Sequence, residues 1–141
     1  MSVAGETLVE IFVNRVQKSP EAVAMKAKKD GSWRSISFRE FDETAREVAH
    51  GLLSLGLRKG DFVSLLSSNR PEWHIADVAV LLCGGATVPV YITNSPPQVA
   101  HVVGHSESTI AIVEDDVQLA KIMETLPDLP KLKTIVVIEP G

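Results

Sequence analysis

Hydrophobic residues recur along this chain with two periods, and the alternation of these periods predicts where helices and strands lie. Thr7 and Glu10 form a capping-box pattern, which predicts a first helix that ends at Ser19-Pro20. The apolar face of this helix comprises Leu8, Ile11, Phe12 and Val16. Segment 23–36 then alternates between apolar and polar residues on either side of Asp30-Gly31, which predicts a β-hairpin with a tight turn.

A second amphipathic helix follows the hairpin directly. Ser37 and Glu40 form another capping box, and Ile36 and Phe41 are spaced as a hydrophobic staple across the start of the helix. Helical spacing predicts one buried face up to a stop at Gly56. That face comprises Phe41, Ala45, Val48, Ala49, Leu52 and Leu53.

The segment from Asp61 to Tyr91 predicts a complete unit of strand, helix and second strand. Its strands are 62–66 and 87–91, and its helix begins at Pro71, a residue favoured at the first helical position. The adjacent glycines at 84 and 85 end the helix. Because the body of this helix is apolar on nearly every side, we expect it to be buried against a parallel sheet.

The remaining sequence alternates helices with strands in the same manner. Capping patterns at Ser95 and Asp115 mark two helix starts, and 109–113 and 134–138 are predicted strands. Val99, Val102 and Val103 are expected to face inward on the first of these helices, and the second helix carries Val117, Ile122, Met123 and Leu126. We therefore predict an α/β fold, with a doubly wound, mainly parallel sheet, flanking helices, and an N-terminal helix and β-hairpin.

Composition narrows the classes of function open to this fold. A chain of 141 residues with 45% hydrophobic content builds one core. Its net charge is −4 and only 5% of residues are aromatic, so we expect no nucleic-acid surface. No signal peptide or transmembrane segment is expected. The single Cys83 is predicted in the core and suits a reducing cytoplasm, with peripheral membrane association as the alternative location.

Two groups of polar residues have the spacing of metal ligands. His101 and His105 lie four residues apart on a predicted helix, which places both imidazoles on one face. No third ligand is evident, so an ordinary polar stripe is favoured over a metal site. Glu114, Asp115 and Asp116 coincide with a helix start, where carboxylates are stabilised, so capping is favoured over cation binding. We therefore assign no metal ligand and no catalytic residue.

One loop has the position expected for the wall of a binding cleft. Tyr91, Thr93 and Asn94 follow a predicted parallel strand at its carboxyl end, which is the edge where ligands of open α/β sheets bind. These three residues are the candidates for a substrate-cleft wall. The alternative is that 93–95 only form the turn and cap ahead of Pro96.

Several motifs, taken in order, resemble the N-terminal part of a known enzyme family. The motifs are S-F-R-E-F-D-E at 37–43, N-R-P-E-W at 69–73, L-L-C-G-G-A-T-V-P-V-Y at 81–91, T-N-S-P at 93–96 and H-S-E at 105–107. They are similar to those of the long-chain fatty acid:CoA ligases, which are AMP-forming acyl-CoA synthetases of the adenylate-forming superfamily. The first and third resemble the family's first two core motifs, and the resemblance extends from Ser37 to Val113.

The resemblance implies a reaction for a parent enzyme and limits the role of this segment. Such a ligase adenylates a fatty acid with ATP and Mg and then transfers the acyl group to coenzyme A. The family's chemistry resides in a Ser/Thr/Gly-rich phosphate loop, an aromatic-Gly-x-Thr-Glu segment, a ribose-binding Asp and a Lys on a C-terminal domain. None of these motifs occurs here. We therefore expect no catalytic or cofactor-binding residue within 1–141, and an isolated chain that is inactive.

The resemblance also sets expectations for domains and partners. We expect residues 1–141 to form a single incomplete N-terminal subdomain, with a helix and hairpin over 1–36 and a helix and βα repeats over 37–141. The expected partners are the remainder of the parent ligase and its fatty acid substrate. Exposed sheet edges favour a homodimer or an exchange of the Met1–Ile36 segment between copies. The alternatives are a fragment of an aryl-CoA or fatty acyl-AMP ligase, and a non-catalytic α/β binding or assembly module.

Overall fold

A computed structural model describes residues 5–141, apart from the side chain of Lys29. Within that range the helices are α1 Leu8–Lys18, α2 Phe38–Ser54, α3 Pro71–Leu82, α4 Pro96–His105 and α5 Asp116–Glu124. The strands are β1 Val23–Lys29, β2 Ser32–Ser37, β3 Phe62–Leu66, β4 Ala86–Val90, β5 Ile110–Asp115 and β6 Thr134–Glu139. Residues 1–4, the start of the segment expected to exchange between copies, lie outside the described part.

Four strands form one parallel sheet in the order β4-β3-β5-β6. The chain first moves outward from β3 to β4, returns to β5 on the other side of β3, and continues to β6. The strand order therefore reverses between β3 and β5, as in doubly wound folds. β1 and β2 form a separate antiparallel pair. The predicted α/β architecture, a mainly parallel sheet with flanking helices, is confirmed.

Helices cover both faces of the parallel sheet. Successive residues of a strand point to opposite faces. Ile110 and Ile112 of β5 belong to the cluster that includes residues of α2 and α3, whereas Ala111 and Val113 pack with residues of α4 and α5. Both faces of β5 are thus buried, which explains why its sequence is a continuous apolar run without alternation.

Helix α3 is enclosed by the sheet on one side and by α2 and the hairpin on the other. Ala79 has no exposed surface and packs with Val63 and Leu65 of β3. Ile75 contacts the cluster that contains Phe41 of α2. Every residue of α3 other than the exposed His74 is at least partly buried. The prediction of an enclosed helix, made from its nearly uniform apolarity, is confirmed.

Helix α1 and the β1–β2 hairpin pack on α2 and α3. Phe12 contacts Phe41 edge to face, with ring centroids 4.9 Å apart, and Met25 contacts the same cluster. Asp30 and Gly31 have φ angles of 51° and 81°, the positive values that a two-residue hairpin turn requires. The predicted hairpin and its turn are confirmed.

The capping patterns form the hydrogen bonds that the sequence predicts. Ser37 Oγ accepts from the Glu40 N–H at 3.2 Å, and Asp115 Oδ1 accepts from the Gln118 N–H at 2.9 Å. A capping box also starts α1, and at the start of α4 the Ser95 N–H donates to Gln98 Oε1 at 2.9 Å. Gly56 follows α2 with a φ of 93°, a conformation that favours glycine after a helix. These local interactions fix the helix starts independently of the sheet.

Leu53, predicted on the buried face of α2, is exposed, and so are Val117, Met123 and Leu126, three of the apolar residues expected on the last helix. Their exposed fractions are 49% for Leu53, 65% for Val117, 51% for Met123 and 38% for Leu126. In α5 the buried positions are Gln118 and Ile122. A helical residue turns about 100° from its neighbour, so Val117 and Met123, each adjacent in sequence to a buried position, point toward solvent. None of the helices in the described part of the chain is long and apolar enough to cross a membrane.

Candidate functional site

The carboxyl ends of β3 and β5 meet where the strand order reverses. In open α/β sheets, this is where a crevice opens and ligands bind. The loop 67–70 follows β3, and Glu114 and Asp115 end β5. The parallel pairing of the two strands therefore brings these polar segments to the same edge of the sheet.

Arg70 joins three carboxylates at this edge. Its guanidinium lies 2.8 Å from Glu72, 3.4 Å from Glu114 and 2.5 Å from Glu139. These acids belong to the first turn of α3, the end of β5 and the end of β6, so one side chain links three elements. Hydrogen bonds to Glu139 and Glu72 raise the pKa of Arg70 above its already high ordinary value, so the guanidinium stays charged.

Glu114 holds the loop after β3 against the end of β5. Its carboxylate accepts from the Ser68 N–H at 2.6 Å and from the Ser68 hydroxyl at 2.9 Å. Burial opposes ionisation of Glu114, but the two bonds from Ser68 and the charge of Arg70 together outweigh it and hold the pKa below the ordinary 4.5. Glu114 is therefore ionised at neutral pH and serves as an acceptor for both neighbours.

This arrangement corrects the interpretation of the acidic run at 114–116. Asp115 caps α5 as predicted, but Glu114 does not cap a helix. It lies within β5, which extends two residues beyond its predicted end at Val113. The cluster was missed because local pattern does not reveal that β3 and β5 are neighbours. The available signal was two polar segments, S-S-N-R-P-E at 67–72 and E-D at 114–115, each at the end of a predicted strand.

An apolar cleft of about 470 Å³ opens between the ends of β3 and β4. Its lining residues are Ser67, Ser68, Asn69, Trp73, His74, Pro89, Val90, Tyr91 and Ile92. Tyr91 follows β4, which ends one residue earlier than predicted, and is 78% exposed. Asn94 donates its N–H to the Tyr91 carbonyl at 3.0 Å, which closes the turn that precedes α4. The fold thus brings Tyr91 to the cleft, while Thr93 and Asn94 lie in the adjoining turn and outside the lining.

A second cavity, of about 510 Å³, lies between the Arg70 cluster, α2 and the hairpin. Its charged lining residues are Lys28, Arg34, Glu40, Arg70, Glu72, Glu114 and Glu139. Ser68 lines both this cavity and the apolar cleft. The loop held by Glu114 therefore forms the partition between a charged cavity and an apolar one.

The other residues singled out in the sequence have structural surroundings. His101 and His105 stack on the exposed side of α4, with ring centroids 5.8 Å apart. Residues 5–141 contain no group of three or more His, Cys, Asp or Glu side chains arranged to hold a metal ion. The half-buried thiol of Cys83 donates to the Ala49 carbonyl at 3.4 Å, and burial raises its pKa, which disfavours the reactive thiolate.

Comparison with known proteins gives matches over nearly the whole chain. The family model described as AMP-binding enzyme matches residues 12–141. The long-chain-fatty-acid–CoA ligase ACSBG2 of Xenopus laevis is 35% identical over 130 residues, which cover 92% of this chain and 18% of that protein. The chain therefore spans about a fifth of the length of the curated relatives that it matches.

Solved structures contain the same arrangement of helices and strands. The anthranilate CoA ligase AuaEII, in complex with anthranoyl-AMP, matches with a TM-score of 0.85 and 25% identity, over 98% of this chain and 27% of that one. A long-chain-fatty-acid-CoA ligase from Archaeoglobus fulgidus matches with a TM-score of 0.83 and 18% identity, over 98% of this chain and 28% of that one. The second likeness concerns the fold alone.

Proposed function

Because the chain belongs to the AMP-binding enzyme family, we propose that it forms the N-terminal scaffold of a long-chain fatty acid:CoA ligase. The parent enzyme adenylates a fatty acid carboxylate with ATP, releases pyrophosphate, and transfers the acyl group to coenzyme A. Residues 1–36 contribute a helix and hairpin to this scaffold, and residues 37–141 contribute a helix and βα repeats. The segment shapes one wall of the substrate cleft and leaves the chemical steps to other parts of the parent.

The observation that carries this proposal is the relation to the ACSBG2 ligase of Xenopus laevis over most of the chain. The apolar cleft beside Tyr91 supports the choice of substrate. Its volume is within the range of small-molecule sites, and its apolar wall with a polar rim suits a fatty acid. Thr93 and Asn94 are proposed to shape the cleft indirectly, through the turn that positions Tyr91.

The edge of the sheet where the strand order reverses does not fit ATP and Mg by itself. Among residues 5–141 no group of acidic or histidine side chains is arranged for a metal ion, and the sequence contains no glycine-rich phosphate loop. Arg70, the cation at the reversal of strand order, is already paired with three carboxylates. ATP, Mg and coenzyme A are therefore proposed as requirements of the parent enzyme, bound by groups beyond this segment.

A second candidate function is an aryl-CoA ligase. It is favoured by the structural likeness to the anthranilate CoA ligase AuaEII. The two candidates share the fold and the adenylation reaction and differ in the acid that they activate. The similarity to long-chain ligases over 92% of the chain favours the fatty acid reading.

We also propose that the isolated chain self-associates. β4 and β6 are the outer strands of the described sheet, and unpaired strand edges recruit other strands. Exposed apolar side chains at Leu8 of α1 and Val23 of β1, 69% and 51% exposed, lie on the segment proposed to exchange between copies. Sedimentation at high protein concentration should detect a dimer, and a strictly monomeric chain would contradict this proposal.

Two matched chimeras test the proposed function. The segment of the Xenopus ligase that aligns with this chain is replaced by the chain itself, and the same replacement is made in AuaEII. We expect the first chimera to form acyl-CoA from a long-chain fatty acid, and the second to lose activity on anthranilate because its cleft wall no longer fits. Activity only in the AuaEII chimera would favour the aryl reading, and two folded but inactive chimeras would refute a shared scaffold role.

A further inference from the structure

The β1–β2 hairpin and the start of α3 enclose a groove of about 460 Å³ that the proposed ligase function does not use. Its lining residues are Met25, Lys26, Ala27, Lys28, Trp33, Asn69, Arg70, Pro71 and His74. We propose that this groove binds a phosphate-bearing ligand. Lys26 and Lys28 contact the phosphate, and Trp33 contacts the organic group that carries the phosphate.

The groove is cationic although the chain as a whole is acidic. Four basic side chains, Lys26, Lys28, Arg70 and His74, line it, and no Asp or Glu is among its described lining residues. The complete chain carries a net charge of −4. A concave surface with one sign of charge concentrates ligands of the opposite sign, so this groove attracts anions. Lys28 and Arg70 also line the neighbouring cavity with Glu40, Glu72, Glu114 and Glu139, which leaves Lys26 as the lysine farther from those carboxylates in the lining.

The two lysines supply the available charge. Lys26 and Lys28 are exposed, and neither takes part in an ion pair in the described part of the chain. Arg70 differs because its guanidinium is paired with carboxylates outside the groove. A free ammonium group offers three donors on a flexible stem, which suits a phosphate approached from several directions.

The strand register places the lysines and an exposed indole on one face. Lys28 lies directly opposite Trp33, and Lys26 lies directly opposite Ser35; residues in opposite positions share a face of the hairpin. The two lysines are two positions apart on one strand, a separation of roughly 7 Å. Trp33 is 70% exposed, so its ring is open to stacking or apolar contact. Two free cations beside an open indole are suited to a phosphate that carries an organic group.

Two sources present this chemistry. A soluble nucleotide carries its phosphate next to a base that stacks on an indole. A phospholipid surface presents phosphate headgroups next to the interfacial layer in which tryptophan side chains lie. The same residues are used in both cases, so the source is decided by the form of the probe.

Tryptophan fluorescence of the whole chain measures binding and so tests the proposal. One arm titrates inorganic pyrophosphate and ADP. The other adds vesicles of phosphatidylcholine, with or without phosphatidic acid. Replacing Lys26 and Lys28 together by Gln should weaken binding by about fivefold for each lysine, and Trp33→Phe should remove the emission change. The matched control is Lys131→Gln with Lys133→Gln, because these lysines are also exposed and lie outside the groove lining.

A response to the soluble probes assigns the groove to a free phosphate ligand, and a response confined to the acidic vesicles assigns it to a headgroup. In either case added salt should weaken binding, because exposed charges carry it. The proposal is overturned if neither probe gives a saturable response, or if the control pair of lysines weakens binding as much as Lys26 and Lys28 do. Circular dichroism of each variant verifies that the fold is unchanged.

Discussion

Replacing Arg70 by Gln should destabilise the chain by about 2–3 kcal/mol, because one guanidinium holds three elements together. Glu72 and Glu139 are 45% and 63% exposed, so solvent screens their pairs and each contributes about 0.2–1 kcal/mol. The pair with Glu114 is different, since both side chains are less than one-fifth exposed. Loss of its charged partner costs Glu114 about 1–2 kcal/mol, although Ser68 continues to donate to it.

Urea denaturation followed by circular dichroism measures this effect. The matched control is Arg46→Gln, which removes the same charge from an i,i+4 pair with Asp42 on the surface of α2. Arg46 is 50% exposed, and pairs of this kind contribute no more than about 0.5 kcal/mol. Arg70→Lys is a second comparison. It keeps the charge but loses the planar fork that reaches three acids, so it should fall between Gln and wild type.

A double-mutant cycle separates the pair from the rest of the cluster. Glu114→Gln should cost less in the Arg70→Gln background than in the wild type, with a coupling energy of about 1 kcal/mol. The role assigned to Arg70 is refuted if Arg70→Gln shifts the urea midpoint no more than Arg46→Gln does. It is also refuted if the two substitutions in the cycle are additive, since contact between Arg70 and Glu114 would then contribute nothing.

Features that depend on contacts between residues close in sequence could be predicted from the sequence. The capping boxes at Thr7 and Ser37 involve residues three positions apart, and the hairpin turn requires two positive φ angles at adjacent positions. Such short-range interactions are specified by residue type and spacing alone. The enclosure of α3 was predictable for a similar reason, since a helix that is apolar on nearly every side has no face suited to water.

The site depends on information that local pattern lacks. Arg70 and Glu114 are separated by 44 positions, and they meet only because β3 pairs with β5 on the side opposite to β4. The alternation of strands and helices is compatible with more than one strand order, so the sequence placed the candidate site at Tyr91. The structure shows that the strand order reverses between β3 and β5, next to β4, and the charged cluster lies at that reversal.

Exposure at helix surfaces was the least predictable quantity. α5 is nine residues long. In so short a helix, the spacing of the apolar residues does not show which face is buried. Val117 and Met123 are six positions apart, which places them about 120° from each other around the helix, so they do not share one face. Gln118 and Ile122 are four positions apart, and both are buried. The bond from the Gln118 N–H to Asp115 sets where the helix begins, but it does not decide which face of the helix is buried.

The remaining predictions concern the core, the histidines and the loss of stability at low pH. Ala79→Asp should place an unpaired carboxylate where no surface is exposed and lower the free energy of unfolding by about 3 kcal/mol or more. The control, Ala120→Asp at an exposed helix position, should remain soluble and folded. Equal urea midpoints for the two variants would contradict the enclosure of α3. Replacing His101 or His105 by Gln should leave the thermal midpoint nearly unchanged, because both rings lie on the exposed side of α4, and a large loss would reveal a structural role. Stability should also fall in acid. The pKa of Glu114 is lowered below 4.5 in the folded chain, so its contribution is complete above its unfolded pKa and is lost as the pH falls through the folded value. Glu114→Gln should therefore flatten the decline of the urea midpoint below about pH 4.5. A decline as steep as that of the wild type would show that Glu114 is not ionised in a stabilising contact.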